Sequence, residues 1–272
     1  MSAAKNIIAI HGAPRSGTSW LGQLFNSSPQ VAYRYQPFFS YAFRGRIDTG
    51  SDVASLRGFF ADLLATEDEF VLQSGTASMA STTPRFAKSE ITHLAYKEVR
   101  FHHLLPHMMA ILPELKAIGI VRDPRAVLAS WAKAPREFDP TWKLADEWRC
   151  AERKNAGLEE NWYGFARWKA LAEMFLRLQE LYPSRFRVVR YEELVDSAQD
   201  TLRLLFAFCD IPFSVQSQQF ILDSSSHDDG ETYGVFRLHG ATGVGPALLD
   251  ASIANTIVSE LRNTTLSLFL SK

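Results

Sequence analysis

The apolar run Asn6-Ile7-Ile8-Ala9-Ile10 leads straight into His11-Gly12-Ala13-Pro14-Arg15-Ser16-Gly17-Thr18-Ser19-Trp20-Leu21. A short apolar run, a glycine-bearing turn and a helical pattern in that order predict a buried strand, a tight loop and a helix, the opening unit of an α/β chain. Such a loop is also a chemical site. The first N–H groups of a helix have no partners within it, and the positive end of the helix dipole points at whatever anion the loop holds. Gly12 and Gly17 let the main chain turn and approach a ligand closely. Arg15, Ser16, Thr18 and Ser19 add one charged and three hydroxyl donors.

The spacing of Gly12, Gly17 and Thr18 reproduces most of the pattern of ATP- and GTP-binding loops, but Thr18 stands where those loops need lysine. A loop without that lysine suits a nucleotide that has no β- and γ-phosphates to cradle. A second motif lies far along the chain. Leu115 to Val121 is predicted to be a buried parallel strand, and Arg122-Asp123-Pro124-Arg125 opens a helix with Asp123 as its cap and Pro124 in its first position. Ser130 follows Arg122 by about two helical turns, so one anion can engage both if the chain between them bends.

The first loop resembles the 5′-phosphosulfate loop of the sulfotransferases, whose donor is 3′-phosphoadenosine 5′-phosphosulfate (PAPS). Arginine at position 15, in place of lysine, is similar to the carbohydrate and tyrosyl-protein branches of that superfamily. Arg122 and Ser130 resemble its 3′-phosphate site. Arg190-Tyr191-Glu192-Glu193-Leu194 is similar to the segment that lies near the adenine, which implies a contact from Tyr191 to the base. Phe236-Arg237 resembles the late phosphate-contacting segment, without the Lys-Gly dipeptide that follows the arginine in cytosolic members. The resemblance thus implies a donor site of Pro14, Arg15, Ser16, Gly17, Thr18, Ser19, Trp20, Arg122, Ser130, Tyr191 and Arg237, with 3′,5′-bisphosphoadenosine (PAP) as product and no metal.

Moving a sulfonyl group between two oxygens requires stabilised charge and, as a rule, a base for the acceptor's proton. Arg15 and Lys97 are the candidates for charge. Lys97 lies in Tyr96-Lys97-Glu98-Val99-Arg100, which resembles the Lys-x-x-Arg segment of carbohydrate sulfotransferases. The base departs from the family pattern. Where cytosolic members carry histidine this chain has Val99, and where carbohydrate branches carry Tyr-Glu-Pro it has Tyr35-Gln36-Pro37. An amide holds a hydroxyl but takes no proton at neutral pH. Gln36 is therefore expected to face the acceptor, with Glu98, His102 and His11 as substitutes by proximity and a loose, base-poor transition state as the alternative.

The rest of the chain agrees with one sulfotransferase domain over residues 1–272, built as a three-layer α/β fold in which helices flank a parallel sheet. Strands are expected at Asn6 to His11, Val31 to Tyr35, Ile91 to Val99, Lys116 to Val121 and Arg185 to Arg190, and loops at Ser74 to Pro84 and Asp223 to Gly234. Trp162, Phe165, Trp168, Leu171, Ala172, Phe175, Leu178, Leu181 and Tyr182 repeat at helical spacing and are expected to face the core. Cys150 and Cys209 fall in helical patterns and are expected to be buried, reduced thiols.

A formal net charge of -1 gives no general attraction to nucleic acid or anionic membrane, so anion binding must be local. The sequence carries no signal-like apolar leader and no apolar run long enough to cross a bilayer, which points to a cytoplasmic enzyme acting on a hydroxyl-bearing glycan or small molecule. His103 and His107 have helix-face spacing, but no carboxylate or cysteine completes a metal set. No Gly-x-Ser-x-Gly elbow points to a serine hydrolase. The competing readings are a P-loop kinase, which Thr18 disfavours, and a nucleotide-binding protein that has lost catalysis, which Gln36 and Val99 favour.

Overall fold

A computed structural model describes residues 6–74, 83–226, 234 and 249–271. Its centre is a five-stranded sheet of β1 (Asn6–His11), β2 (Val31–Tyr35), β3 (His93–Glu98), β4 (Leu115–Val121) and β5 (Phe186–Arg190). The spatial order is β2-β3-β1-β4-β5, and every pairing is parallel. β1 lies in the middle, with Ile10 opposite Lys97 on one side and opposite Ile118 on the other.

This position explains why β1 is apolar throughout: a central parallel strand is covered on both faces. Ile7 and Ala9 enter one core, with Phe59 and Phe60 of the Val53–Ala65 helix and Trp168, Leu171 and Phe175 of the Phe165–Leu181 helix. Ile8 and Ile10 enter the other, with Leu21, Leu24 and Phe25 of the Thr18–Asn26 helix and Leu202 and Phe206 of the Ala198–Phe208 helix. The result is the three-layer arrangement expected from the sequence. Gly119 of β4 lets a helix settle directly on the sheet, since a Cβ there would come within 2.5 Å of the Phe175 ring.

The connection from β1 to β2 and β3 runs to one side of β1, and β4 and β5 lie on the other. The loops after β1 and β4 therefore diverge around a crevice at the carboxyl ends of the strands, the place where open α/β sheets take their ligands.

Several sequence expectations need correction. β3 is trimmed at both ends relative to Ile91–Val99, and β5 starts at Phe186, after the turn in which Arg185 N–H donates to the Tyr182 carbonyl. The first four residues of the expected loop Asp223 to Gly234 belong to the Val215–Ser226 helix, and residues 227–233 of that loop, like 75–82 of the loop expected at Ser74 to Pro84, lie outside the described residues. Leu181 is 58% exposed at the last turn of its helix, where the apolar stripe has rotated off the core, and Tyr182 is half-buried. Trp162 is buried but precedes that helix. Cys150 is exposed in a turn, whereas Cys209 is buried, and both are free thiols.

Candidate functional site

The loop between β1 and the Thr18–Asn26 helix is shaped by two residues at positive φ, Arg15 at 70° and Gly17 at 89°. Ser16 N–H donates to the Ala13 carbonyl at 3.1 Å and closes the turn. Glycine is required twice. A Cβ on Gly12 would meet the Ile120 carbonyl oxygen at 2.8 Å, and one on Gly17 would enter the Tyr191 ring. No side chain caps the helix, so its N-terminal N–H groups have no side-chain acceptor. Ser16 is fully buried, and its hydroxyl has no partner among the described residues. A buried donor of this kind beside an uncapped helix end suits an anionic oxygen. Thr18 is buried, whereas Ser19 and Trp20 are half-buried, and Trp20 sends its indole N–H to Ser224 Oγ at 3.0 Å. Pro14 lines a small aromatic cleft with Trp131, Trp162 and Tyr163.

The loop after β4 meets the first one. Arg15 Nε donates to Ser130 Oγ at 3.1 Å, and Arg122 Nη1 donates to the Arg15 carbonyl at 3.1 Å. The Arg122 guanidinium lies 4.5 Å from the centre of the Tyr191 ring, and Trp168 Nε1–H donates to the Arg122 carbonyl at 3.0 Å. Asp123 anchors this corner. It caps the Pro124–Ala132 helix through Arg125 N–H at 2.8 Å, pairs with the Arg125 guanidinium at 2.6 Å and accepts from both N–H and hydroxyl of Ser271 at 2.8 Å. Burial works against its charge, but the bonds from Arg125 and Ser271 outweigh it and hold the carboxyl below the ordinary range. Arg15, Arg122, Ser130 and Tyr191, assigned from separate stretches of sequence, thus form one connected group. Arg237 lies outside the described residues.

β2 and β3 supply the opposite wall. Tyr35 and Lys97 are register partners, and Lys97 Nζ lies 4.4 Å from the centre of the Tyr35 ring. Lys97 is buried, which lowers its pKa, against the pull of Glu98 and Glu137 and with Arg15. Tyr35 is pushed up to about 12 by burial. Gln36 has φ 42° and donates its N–H to the Lys97 carbonyl at 3.0 Å. Glu98 faces the other side of the sheet, as strand alternation requires. It is completely buried, accepts from Phe38 N–H at 2.8 Å and is raised by that burial.

His11 and His102 form a buried pair, Nδ1 to Nδ1 at 2.8 Å, beneath the first loop. Burial pulls His11 down to about 3, so both act as neutral packing at neutral pH. His107 donates from Nε2 to the Ser51 carbonyl at 2.7 Å. Among the described residues no three histidine, cysteine or acidic side chains gather as a metal set. No helix among them is long and apolar enough to cross a membrane.

One residue escaped the sequence reading. Glu137 lies just beyond the Pro124–Ala132 helix, with its N–H on the Ala134 carbonyl at 2.9 Å and its carbonyl accepting Trp131 Nε1–H at 3.2 Å. Its carboxyl raises Lys97 and Tyr35 and is itself acted on by Arg15 and Lys97, so it belongs to the same group. No motif flagged it; the only hint was its place soon after Ser130.

The loop after β1 and the arginine–serine pair after β4 thus meet at the switch point of a parallel sheet. The family model described as "Sulfotransferase family" matches residues 8–215. Human carbohydrate sulfotransferase 3 is 32% identical over 285 residues, covering 83% of this chain and 59% of the relative. Human carbohydrate sulfotransferase 1 is 24% identical, covering 88% and 72%. The chain belongs to the sulfotransferase family. It spans somewhat less than two thirds of the length of carbohydrate sulfotransferase 3. Among solved structures, mouse sulfotransferase SULT7A1 in complex with PAP superposes with a TM-score of 0.56 at 15% identity, over 98% of this chain and 87% of that one. Retinol dehydratase in complex with retinol and PAP gives 0.52 at 11%, over 97% and 82%. These two likenesses concern the fold.

Proposed function

We propose that this chain, as one domain over residues 1–272, transfers a sulfonate group from PAPS to a carbohydrate hydroxyl. The observation that carries the proposal is the Arg15–Ser130 hydrogen bond, which joins the loop after β1 to the helix after β4 and places two anion-binding groups side by side. A nucleotide with phosphates at both its 3′ and 5′ positions fits such a pair. The named relatives, both carbohydrate sulfotransferases, support a sugar as acceptor. The free thiols Cys150 and Cys209 support a reducing compartment such as the cytoplasm.

In this reading the loop N–H groups, Ser16, Gly17, Thr18 and Ser19 hold the 5′-phosphate, with Pro14 and Trp20 shaping the turn. Arg122 and Ser130, with Arg237, hold the 3′-phosphate, and Tyr191 lies against the base. The donor supplies an activated sulfonyl group. Arg15 and Lys97 stabilise charge that builds on the departing phosphate oxygen, and Gln36 positions the acceptor hydroxyl. Lys97 is well suited, because a buried cation acts at lower effective dielectric than an exposed one.

The test has two parts. Calorimetry should show PAP binding far more tightly than AMP, because the 3′ contacts are charge-assisted bonds of about 1.5 to 3 kcal/mol each. Radiolabelled PAPS offered with a panel of mono- and oligosaccharides should label at least one of them. Equal affinity for PAP and AMP would sink the donor assignment.

A further inference from the structure

Glu137 is a half-buried residue just beyond the helix that carries Ser130, and none of the roles above uses it. Its Oε2 is buried with no hydrogen-bond partner among the described residues. Burial raises its pKa; Arg15 on the first loop, Lys154 in the Glu152–Asn155 helix and Lys97 at the end of β3 pull it down electrostatically, and it in turn acts on Tyr35 at the end of β2. Burying a carboxylate oxygen and leaving it unpaired is costly unless something else occupies its lone pairs. The other residues at this wall lack the chemistry. Gln36 is an amide, Tyr35 is held neutral by burial, and Glu98 points to the opposite face of the sheet, where it accepts the Phe38 N–H.

We propose that Glu137 is the proton acceptor for the incoming hydroxyl, a proposal that rests on the sulfotransfer reading. As the acceptor oxygen forms its bond to sulfur, the bond from sulfur to the phosphate oxygen breaks and its electron pair stays on PAP. The acceptor's proton passes to the Glu137 carboxylate, which later returns it to solvent. Burial raises the pKa of the carboxyl, as suits a proton acceptor, against the pull of Arg15, Lys154 and Lys97; Arg15 and Lys97 are also the cations assigned to the departing phosphate. The arrangement supplies the base that the Tyr35-Gln36-Pro37 segment lacks, from a different part of the chain.

The experiment compares the parent with Glu137→Gln and Glu137→Asp. Three quantities are read: PAP affinity by calorimetry, sulfonate transfer from radiolabelled PAPS to the saccharide panel, and PAPS hydrolysis, in which water is the acceptor. Glu137→Gln should bind PAP as tightly as the parent or more tightly, because a negative charge near the phosphates is gone. Its hydrolysis and transfer rates should fall about a hundred-fold or more, within the usual contribution of a general base. The parent rate should decline on the acid side as the carboxylate protonates; that limb should vanish in Glu137→Gln and persist in Glu137→Asp with partial activity. A residue that merely neutralised Arg15 and Lys97 would leave the rates and the pH profile intact. Glu137→Gln rates within three-fold of the parent across the pH range would overturn the assignment. Failure of the parent itself to bind PAP would instead overturn the donor reading.

Discussion

The two walls of the crevice are built on different terms. On the donor wall, the loop after β1 and the loop after β4 hold their side chains by direct bonds, Arg15 to Ser130 and Arg122 to the Arg15 carbonyl, backed by Asp123 and Trp168. On the acceptor wall, Gln36 and Glu137 are held through their main chains, the Lys97 side chain by burial and one aromatic ring, and Glu137 Oε2 has no hydrogen-bond partner among the described residues. A nucleotide with fixed phosphates rewards a rigid frame. A wall that must move a proton needs groups whose charge is unsettled, and burial without full pairing is how a protein unsettles it.

The largest effect should separate the walls by kinetics. Lys97→Ala is expected to lower turnover by roughly a hundred-fold, as removal of one preorganised transition-state donor does, while PAP affinity changes little. Arg15→Ala touches both walls and should lose turnover and PAP affinity together. If Lys97→Ala weakened PAP binding and left turnover normal, the division between the walls would be wrong.

Next in size is Arg122→Ala. Losing a charged donor should weaken PAP by roughly ten- to a hundred-fold and leave AMP affinity nearly unchanged. Equal losses for the two nucleotides in parallel titrations would move Arg122 off the 3′-phosphate.

A smaller effect would sharpen the acceptor wall. Gln36→Glu should introduce a new titrating group and a second acid limb in the rate, with turnover near the parent value at neutral pH. A rate–pH curve superimposable on the parent's would place Gln36 outside the site.

A last effect, on stability and not on rate, concerns the floor under the donor loop. His11 is neutral in the fold, pulled from 6.5 to about 3 by burial, while in the unfolded chain it titrates near 6.5. The unfolded state therefore takes up a proton that the folded state refuses, and stability from this source is complete above pH 6.5 and lost as pH falls toward about 3. Urea midpoints should drop across that window, and less steeply for His11→Asn; identical slopes would remove His11 from the account.

The donor wall was legible in the sequence because its parts are local. A strand, a glycine turn and an uncapped helix lie within one short stretch, and Arg122, Asp123 and Ser130 lie within another, so spacing marks the local elements and the family resemblance pairs them. The sheet was legible for the same reason, since continuous apolar runs mark strands covered on both faces. The acceptor wall was not. Glu137 acts electrostatically on Lys97 and is acted on by Arg15, residues far from it in sequence, and no periodicity encodes that coupling. Glu98 seemed a substitute base because it adjoins Lys97 in the chain, yet adjacency in a strand puts two side chains on opposite faces. The pull of Asp123 on Ser271 was equally hidden, since it joins distant parts of the sequence.

The Arg15–Ser130 bond also means that the two phosphate contacts are not separate quantities. Each residue is the other's partner before any nucleotide arrives, so the free energy lost on removing one already contains part of the other's. Arg15→Ala and Ser130→Ala should therefore be sub-additive, with the double variant losing less PAP affinity than the two single losses predict. A thermodynamic cycle over those four proteins measures how far the two ends of the ligand are sensed as one.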